Sequence, residues 1–471
     1  MSEPRTAGAT ALALLALLAL GASGCFTVWQ GRSPDRREAI SVHELIDRQF
    51  VRVGGANHPG YEAVGFTQLV TSAAGDRVAY PAQTRGRWRL VVDGREGPPW
   101  AGIGEVVMSA DGRHVAYAAE DDEGRWRVVV DGHAHRAFDA IHAGTLAFAE
   151  PARGRALLRY VASDAEGARL VINGAAGPAF AGIGAVRFAE RRFAYVARDG
   201  AWSRVVTRAG PSPRYDDVPE IVLAHGRLAY IAEKDRRFVL VLDGAHATAP
   251  EDELVALQVS RAGRVACVRR EGEREGVWLD GVSHPLHGRV DGTTLTFSAD
   301  GSRLAYVARD AGSARVVVDA EDGPAYVEID GPAFDAAGRV VYVGRRAGGS
   351  VVHAGAHTVT HGTWAGHPVT GGERFAYLLR EGERTAVVSD RGRAVFDAVI
   401  ASTLTFDAAG RRWGVVAVAR DAALRVAIEG GETRALDMDE VSALATRDPS
   451  VRDGWAATEA VRRWVRAELT R

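Results

Sequence analysis

The run Thr294-Leu295-Thr296-Phe297-Ser298-Ala299-Asp300-Gly301-Ser302-Arg303-Leu304-Ala305-Tyr306-Val307-Ala308 decides the fold, because it recurs along the chain. A close copy is Val107-Met108-Ser109-Ala110-Asp111-Gly112-Arg113-His114-Val115-Ala116-Tyr117-Ala118, and weaker ones end in Ala79-Tyr80, Ala194-Tyr195, Ala229-Tyr230 and Ala376-Tyr377. A second signature follows: Val91-Val92-Asp93-Gly94, Val129-Val130-Asp131-Gly132, Val171-Ile172-Asn173-Gly174, Val241-Leu242-Asp243-Gly244 and Trp278-Leu279-Asp280-Gly281. A third is Gly97-Pro98-Pro99-Trp100-Ala101-Gly102-Ile103-Gly104, repeated from Gly177 to Gly184. Equivalent positions Ser72, Ser109, Ala149, Ala189, Ala224, Ser260, Ser298 and Asp335 step by roughly 35 to 40 residues, the period of propeller blades. Further copies near Val369 and at Phe406 bring the count to about ten.

Each copy reads as four short strands. The first is apolar, and an Asp-Gly turn leads to a second in which Leu304, Tyr306 and Ala308 alternate with Ala305 and Val307. Apolar residues on both faces suit a strand sandwiched between neighbouring sheets. The third strand ends in Asp-Gly or Asn-Gly, the dipeptides that supply the positive φ angles of a tight hairpin. The fourth is expected to begin after Gly-Pro, to carry Trp100, Phe180 or Tyr326, and to lie outermost, where proline removes no ladder bond. A lone four-stranded sheet cannot cover two apolar faces, whereas radial stacking of such sheets does. The expectation is an all-β chain: a β-propeller of repeated four-stranded antiparallel blades, as one large ring or two tandem propellers, with a short C-terminal helix. A linear β-solenoid is the weaker rival, since Asp-Gly hairpins require antiparallel neighbours.

The segment Leu295-Thr296-Phe297-Ser298-Ala299-Asp300-Gly301-Ser302-Arg303-Leu304-Ala305-Tyr306-Val307 resembles the WD-repeat-like blade of the TolB family and related bacterial propellers. The resemblance spans roughly residues 64–446 and implies the fold; that family's N-terminal helical domain has no counterpart here. Four regions follow: 1–25 a signal segment, 26–63 a linker with a short helix and possible ring-closing strands, 64–446 the propeller, and 447–471 an amphipathic helix. Within 26–63, Ser41-Val42-His43-Glu44 reads as a capping box opening the helix. Val51-Arg52-Val53-Gly54-Gly55 followed by Pro59-Gly60-Tyr61 reads as the last two strands of a blade. In 447–471, Pro449 stands at a first helical turn, and Trp455, Val461, Trp464, Val465 and Leu469 recur near helical spacing among arginines. That helix packs on the propeller or lies on a partner or a lipid surface.

The 471 residues carry 58 Lys+Arg against 60 Asp+Glu, so no concentrated cationic face points to nucleic acid. Lys234 is the only lysine. Arg5, the apolar run Ala11 to Leu20 and the small residues Gly21-Ala22-Ser23-Gly24 before Cys25 form a secretory signal. Ala22-Ser23-Gly24-Cys25 resembles a bacterial lipobox, which implies lipidation of Cys25; Ala22 departs from the leucine usual there. An uncleaved anchor and plain secretion remain open, and all three export the body. Phe26 after Cys25 is not the aspartate that retains some lipoproteins at the inner membrane, which by resemblance favours the outer membrane. Cys267 alone cannot build a disulfide framework, and it occupies a strand position where sibling repeats carry tyrosine.

No Gly-x-Ser-x-Gly elbow, His-Glu-x-x-His, phosphate-binding glycine loop, Cys-x-x-Cys pair or Asp-rich calcium loop occurs, and no cofactor is implied. His353, His357, His361 and His367 are spaced so that two or three could share a metal on one strand face. The glycines between them and the lack of an acidic or cysteine ligand favour a plain structural role. His133, His135, His284 and His287 follow Asp-Gly turns and are expected at the solvated surface. The repeated Asp-Gly aspartates define the repeat and are not catalytic acids, since a specific site breaks a repeat. Arg87, Arg89, Arg125 and Arg127, alternating with Trp88 and Trp126, read as solvent-side strand residues or an anion-binding surface. The leading expectation is a cell-envelope lipoprotein, not an enzyme, whose propeller is a scaffold for envelope proteins. The alternatives are a propeller that binds or processes a glycan or small molecule, and a purely structural envelope protein.

Overall fold

The computed structural model describes residues 25–435 apart from 33–38, 46–47, 54, 73–74, 150–155, 190–191, 419–423 and 431–432. The signal segment before Cys25 and the expected C-terminal helix lie outside the described residues. Within them the chain is all-β and contains no α-helix. Eleven antiparallel sheets follow one another, spanning 25–57, 63–96, 102–134, 140–176, 182–211, 217–246, 253–283, 289–322, 328–361, 365–396 and 398–435. We call them blades one to eleven. Each is a meander in sequence order; in blades two and four the first strand is split into two short pieces. This is the β-propeller architecture, with ten blades in the repeat region and one before it.

The eighth blade shows why the repeat folds so. Its strands are Arg289–Phe297, Leu304–Asp310, Ser313–Val318 and Glu321–Asp322. Ser298 is buried and its hydroxyl accepts the Arg303 amide at 2.9 Å and donates to Asp300 at 2.6 Å, closing the first turn. The Ser298 hydroxyl and the Ser302 hydroxyl and amide, all donating to it, hold the Asp300 carboxyl down to about 2. Gly301 sits at φ +75°, and a Cβ there would stand 2.8 Å from the Ala262 nitrogen and the Ser260 hydroxyl of blade seven. Glycine is therefore required twice over, by conformation and by close approach.

The second strand is buried on both faces, as its composition requires. Leu304, Tyr306 and Ala308 pack against Ala266, Val268, Val277 and Leu279 of blade seven. Ala305 and Val307 pack with Ile329, Tyr342 and Val351 of blade nine. Burying each large side chain contributes on the order of 1.5–3 kcal/mol, so successive blades stabilise one another through both sheet faces.

The fourth strand differs from expectation. In blades one to eight it is a two-residue segment, before the Gly-Pro where one occurs, such as Arg95–Glu96 or Glu321–Asp322, and in blades nine and ten it lengthens to His357–His361 and Gly392–Phe396. The aromatic that follows returns to the same edge as a single bridge: Trp100 to Trp88, Phe180 to Ala168, Tyr326 to Ala314. The proline interrupts the ladder and the aromatic restores it.

The capping-box reading is also corrected. Ser41 and Glu44 lie inside the strand Ala39–Leu45, second of a complete first blade. Ile40 and Val42 alternate into a cluster with Val51, Tyr61, Val78 and Tyr80, so two-residue periodicity prevails over the local helix signal.

The chain divides into two compact units, Met1–Ile183 and Gly184–Arg471. The first holds blades one to four. The second holds blades six to eleven and all of blade five beyond its first two residues.

Candidate functional site

Many of the polar side chains of the blades serve to maintain the repeat. The turn aspartates belong to that group. Asp93, Asp131, Asp243, Asp280 and Asp319 all have φ near +50°. One carboxylate oxygen of Asp319 accepts the Leu304 amide at 2.9 Å and the other accepts Arg303 Nε at 2.8 Å. Arg303 also donates to the Gly338 carbonyl of blade nine at 2.9 Å. Arg77 repeats this with Asp93 and Gly112, and Arg264 with Asp280 and Ser302. The arginine is thus an interblade latch, joining its own hairpin to the first turn of the next blade.

The histidines form a second structural set. His58, His135 and His284 each stand three residues after a turn glycine, and Nδ1 of each meets a tyrosine hydroxyl of the following blade: Tyr80 at 2.8 Å, Tyr160 at 3.1 Å and Tyr306 at 3.3 Å. Burial lowers all three below the ordinary histidine value. The surface expectation therefore holds for His133 and fails for the others. His135 is half-buried, and His284 and His287 are buried, the latter bonded to Asp310 at 3.3 Å. The regular offset in the sequence was a usable signal, although the tyrosine partner lies in another repeat.

His353, His357 and His361 lie on neighbouring strands, Gly349–Ala354 and His357–His361. They do not converge. His353 Nε2 meets the Tyr326 hydroxyl at 2.6 Å and its ring stacks on Tyr342, 4.3 Å between centroids. His361 meets the Tyr377 hydroxyl of blade ten at 2.9 Å, and His357 is exposed. Among the described residues no group of three or more histidine, cysteine or acidic side chains is placed to hold a metal ion. Cys25 opens the first strand of blade one, Cys25–Arg32. The arginines of blades two and three are engaged: Arg87 pairs with Asp122, Arg127 pairs with Asp121, and Arg89 donates to the Gly97 carbonyl at 3.0 Å.

Against this background two departures stand out. In blade seven the second-strand tyrosine is Cys267, fully buried, its thiol pushed up to about 12 by burial. Trp278 lies opposite it in register, and the position that carries histidine in the blades above is Ala247 in blade six. A groove of about 520 Å³ opens beside them, its wall including Leu242, Ala247 and Trp278 with Arg227 and Arg264. Both arginines are held by turn aspartates, Asp243 and Asp280.

The second departure is at the start of the first strand. Glu62, Asp216 and Asp252 stand there and accept backbone amides of Arg85, Asp235 and Gly272 at 2.7, 2.7 and 3.1 Å. Blade nine has Val327, 68% exposed. In blade ten, one position further along the repeat, stands Trp364, 37% exposed, with the Arg345 guanidinium 5.9 Å from its ring.

No family model and no curated protein matches the chain. Among solved structures it is similar to the Dos1 propeller, at 11% identity over 60% of this chain and 89% of that one, TM-score 0.27. It is also similar to a eukaryotic initiation factor, at 11% identity over 78% and 95%, TM-score 0.32. A third is the β-propeller domain of the trilobed protease from Pyrococcus furiosus, at 7% over 72% and 96%, TM-score 0.25. The propeller assignment rests on the chain's own strand pairing, and none of these likenesses bears on function.

Proposed function

We propose that the chain is a cell-envelope lipoprotein, tethered through Cys25, whose propeller is a binding platform for envelope proteins. The carrying observation is the pair Val327 and Trp364 on consecutive blades, exposed apolar side chains at, or one position after, the place where blades two, six and seven carry Glu62, Asp216 and Asp252. Val327 in particular is left uncovered by the blade it belongs to, and exposed apolar surface on a folded chain is the kind that marks interaction sites. Trp364 has the Arg345 guanidinium over its ring, and tryptophan and arginine are both enriched in binding hot spots. The envelope address is supported by the signal-like start, the lipobox-like Ala22-Ser23-Gly24-Cys25 and the likeness of the blade motif to TolB-type propellers. No cofactor and no catalytic step enters this reading.

Site-specific photo-crosslinking in cells tests it. A crosslinking residue at position 327 is expected to give one discrete protein adduct in the membrane fraction, weakened by Trp364→Ala. The same residue at Lys234, on a hairpin tip of blade six, is expected to give none. No adduct at 327, or equal adducts at both positions, would overturn the platform reading.

A further inference from the structure

Blade five breaks the interblade latch in a way no other blade does. Arginine and aspartate of the latch are sixteen residues apart in blades two, six, seven, eight and ten: Arg77 and Asp93, Arg227 and Asp243, Arg264 and Asp280, Arg303 and Asp319, Arg374 and Asp390. The arginine of blade five is Arg192, and sixteen residues on stands Arg208 in place of aspartate. Arg192 still reaches forward to the Gly226 carbonyl of blade six, as a latch arginine should. It has no carboxylate of its own, and neither arginine is in an ion pair with any described residue. Both side chains are exposed.

These two arginines border a groove of about 500 Å³ between blades five and six. Its wall carries Phe193, Pro211, Pro213 and Tyr230, rigid apolar surfaces with little conformational entropy to lose on binding. Asp243 also borders it, but its oxygens are taken by Arg227 at 2.7 Å and the Leu228 amide at 2.9 Å. The volume is that of a ligand site, and the charge is the inverse of the repeat's own pattern. A guanidinium binds a carboxylate in a bidentate fork, so two guanidiniums without a carboxylate partner beside an aromatic and proline wall select a chain that alternates acidic and apolar side chains.

We infer that this groove binds an acidic, apolar-studded linear segment of a protein partner, whose carboxylates take the place of the missing turn aspartate. This deepens the platform reading and rests on it. Phe193 and the prolines would hold the apolar side chains, while Arg192 and Arg208 hold the carboxylates.

The test uses a short fluorescent peptide of alternating glutamate and leucine, its glutamine counterpart, and inorganic phosphate as competitor. The purified full chain is expected to bind the glutamate peptide, to lose affinity as salt rises, and to bind the glutamine peptide at least tenfold more weakly. Arg208→Asp recreates the latch of the other blades, so it should fold normally and bind the glutamate peptide at least tenfold more weakly. Arg208→Ala should lie between. Equal binding by Arg208→Asp, no binding by the wild type, or competition by phosphate at concentrations as low as the peptide's would overturn the inference. Loss of peptide binding with the position-327 adduct intact would remove this inference alone, whereas loss of both would remove the platform itself.

Discussion

Cys267 and Trp278 face each other across the second and third strands of blade seven, and between them they replace the large and medium pair found elsewhere, as in Tyr306 and Val317 of blade eight. The exchange conserves volume within one sheet while changing which strand supplies it. It is also where the neighbouring blade has Ala247 and a groove opens.

The exchange makes Cys267→Tyr overfill the interface while Trp278 remains. The single variant is expected to lose about 1–3 kcal/mol, the usual cost of overpacking. Cys267→Tyr combined with Trp278→Val should recover most of it. Urea denaturation of the four proteins of the cycle gives the coupling; independent, additive losses would contradict the pairing.

The turn aspartates act through geometry and hydrogen bonds, not through acid chemistry. Asp319→Asn keeps an oxygen for the Leu304 amide, as Asn173 does for Leu158 in blade four at 2.9 Å. It should therefore cost under about 1 kcal/mol, while Asp319→Ala, which leaves a buried amide unpaired, should cost roughly 1–3 kcal/mol. Thermal and urea midpoints report the ordering, and equal effects would refute it.

Blade eight has Ala320 where the hairpins of blades two, three, four, six and seven have glycine, and its φ is +73°. A side chain in the left-handed region costs about 1–2 kcal/mol. Ala320→Gly should accordingly stabilise the protein by up to about 1 kcal/mol after the entropy glycine adds to the unfolded chain. A lower midpoint than the wild type would contradict this.

Five histidines, His58, His135, His284, His353 and His361, are held below the ordinary value by burial. The unfolded chain takes up these protons near pH 6.5 and the folded chain only at lower pH. Stability is therefore full above about pH 6.5, falls as pH drops below it, and levels off below the lowered values. Thermal midpoints between pH 8 and pH 5 should show the fall, and His284→Gln should reduce its steepness. A midpoint that rises on acidification would show the sign to be wrong.

Much of the fold was legible because its determinants are local. Asp-Gly at a hairpin, alternating apolar residues in strand two and the residue period are all read within one repeat. The first blade was obscured because Ser41 to Glu44 satisfies a helix-start pattern, while the contacts that make it a strand, Val78 and Tyr80, come from the next blade. The histidines were misplaced for the same reason: Tyr306 covers His284 from 22 residues away. Val327, Trp364 and Arg208 carry no motif at all. They become visible only when each repeat position is compared with its siblings in space.

The claim that an envelope-tethered platform is built on this propeller is tested most directly by mass spectrometry of the mature N-terminus from membrane fractions, with Cys25→Ala alongside. The account predicts a chain that begins at a lipid-modified Cys25 and is released from the membrane by the substitution. An intact start, or an unmodified Cys25 with no change in membrane association, would contradict it.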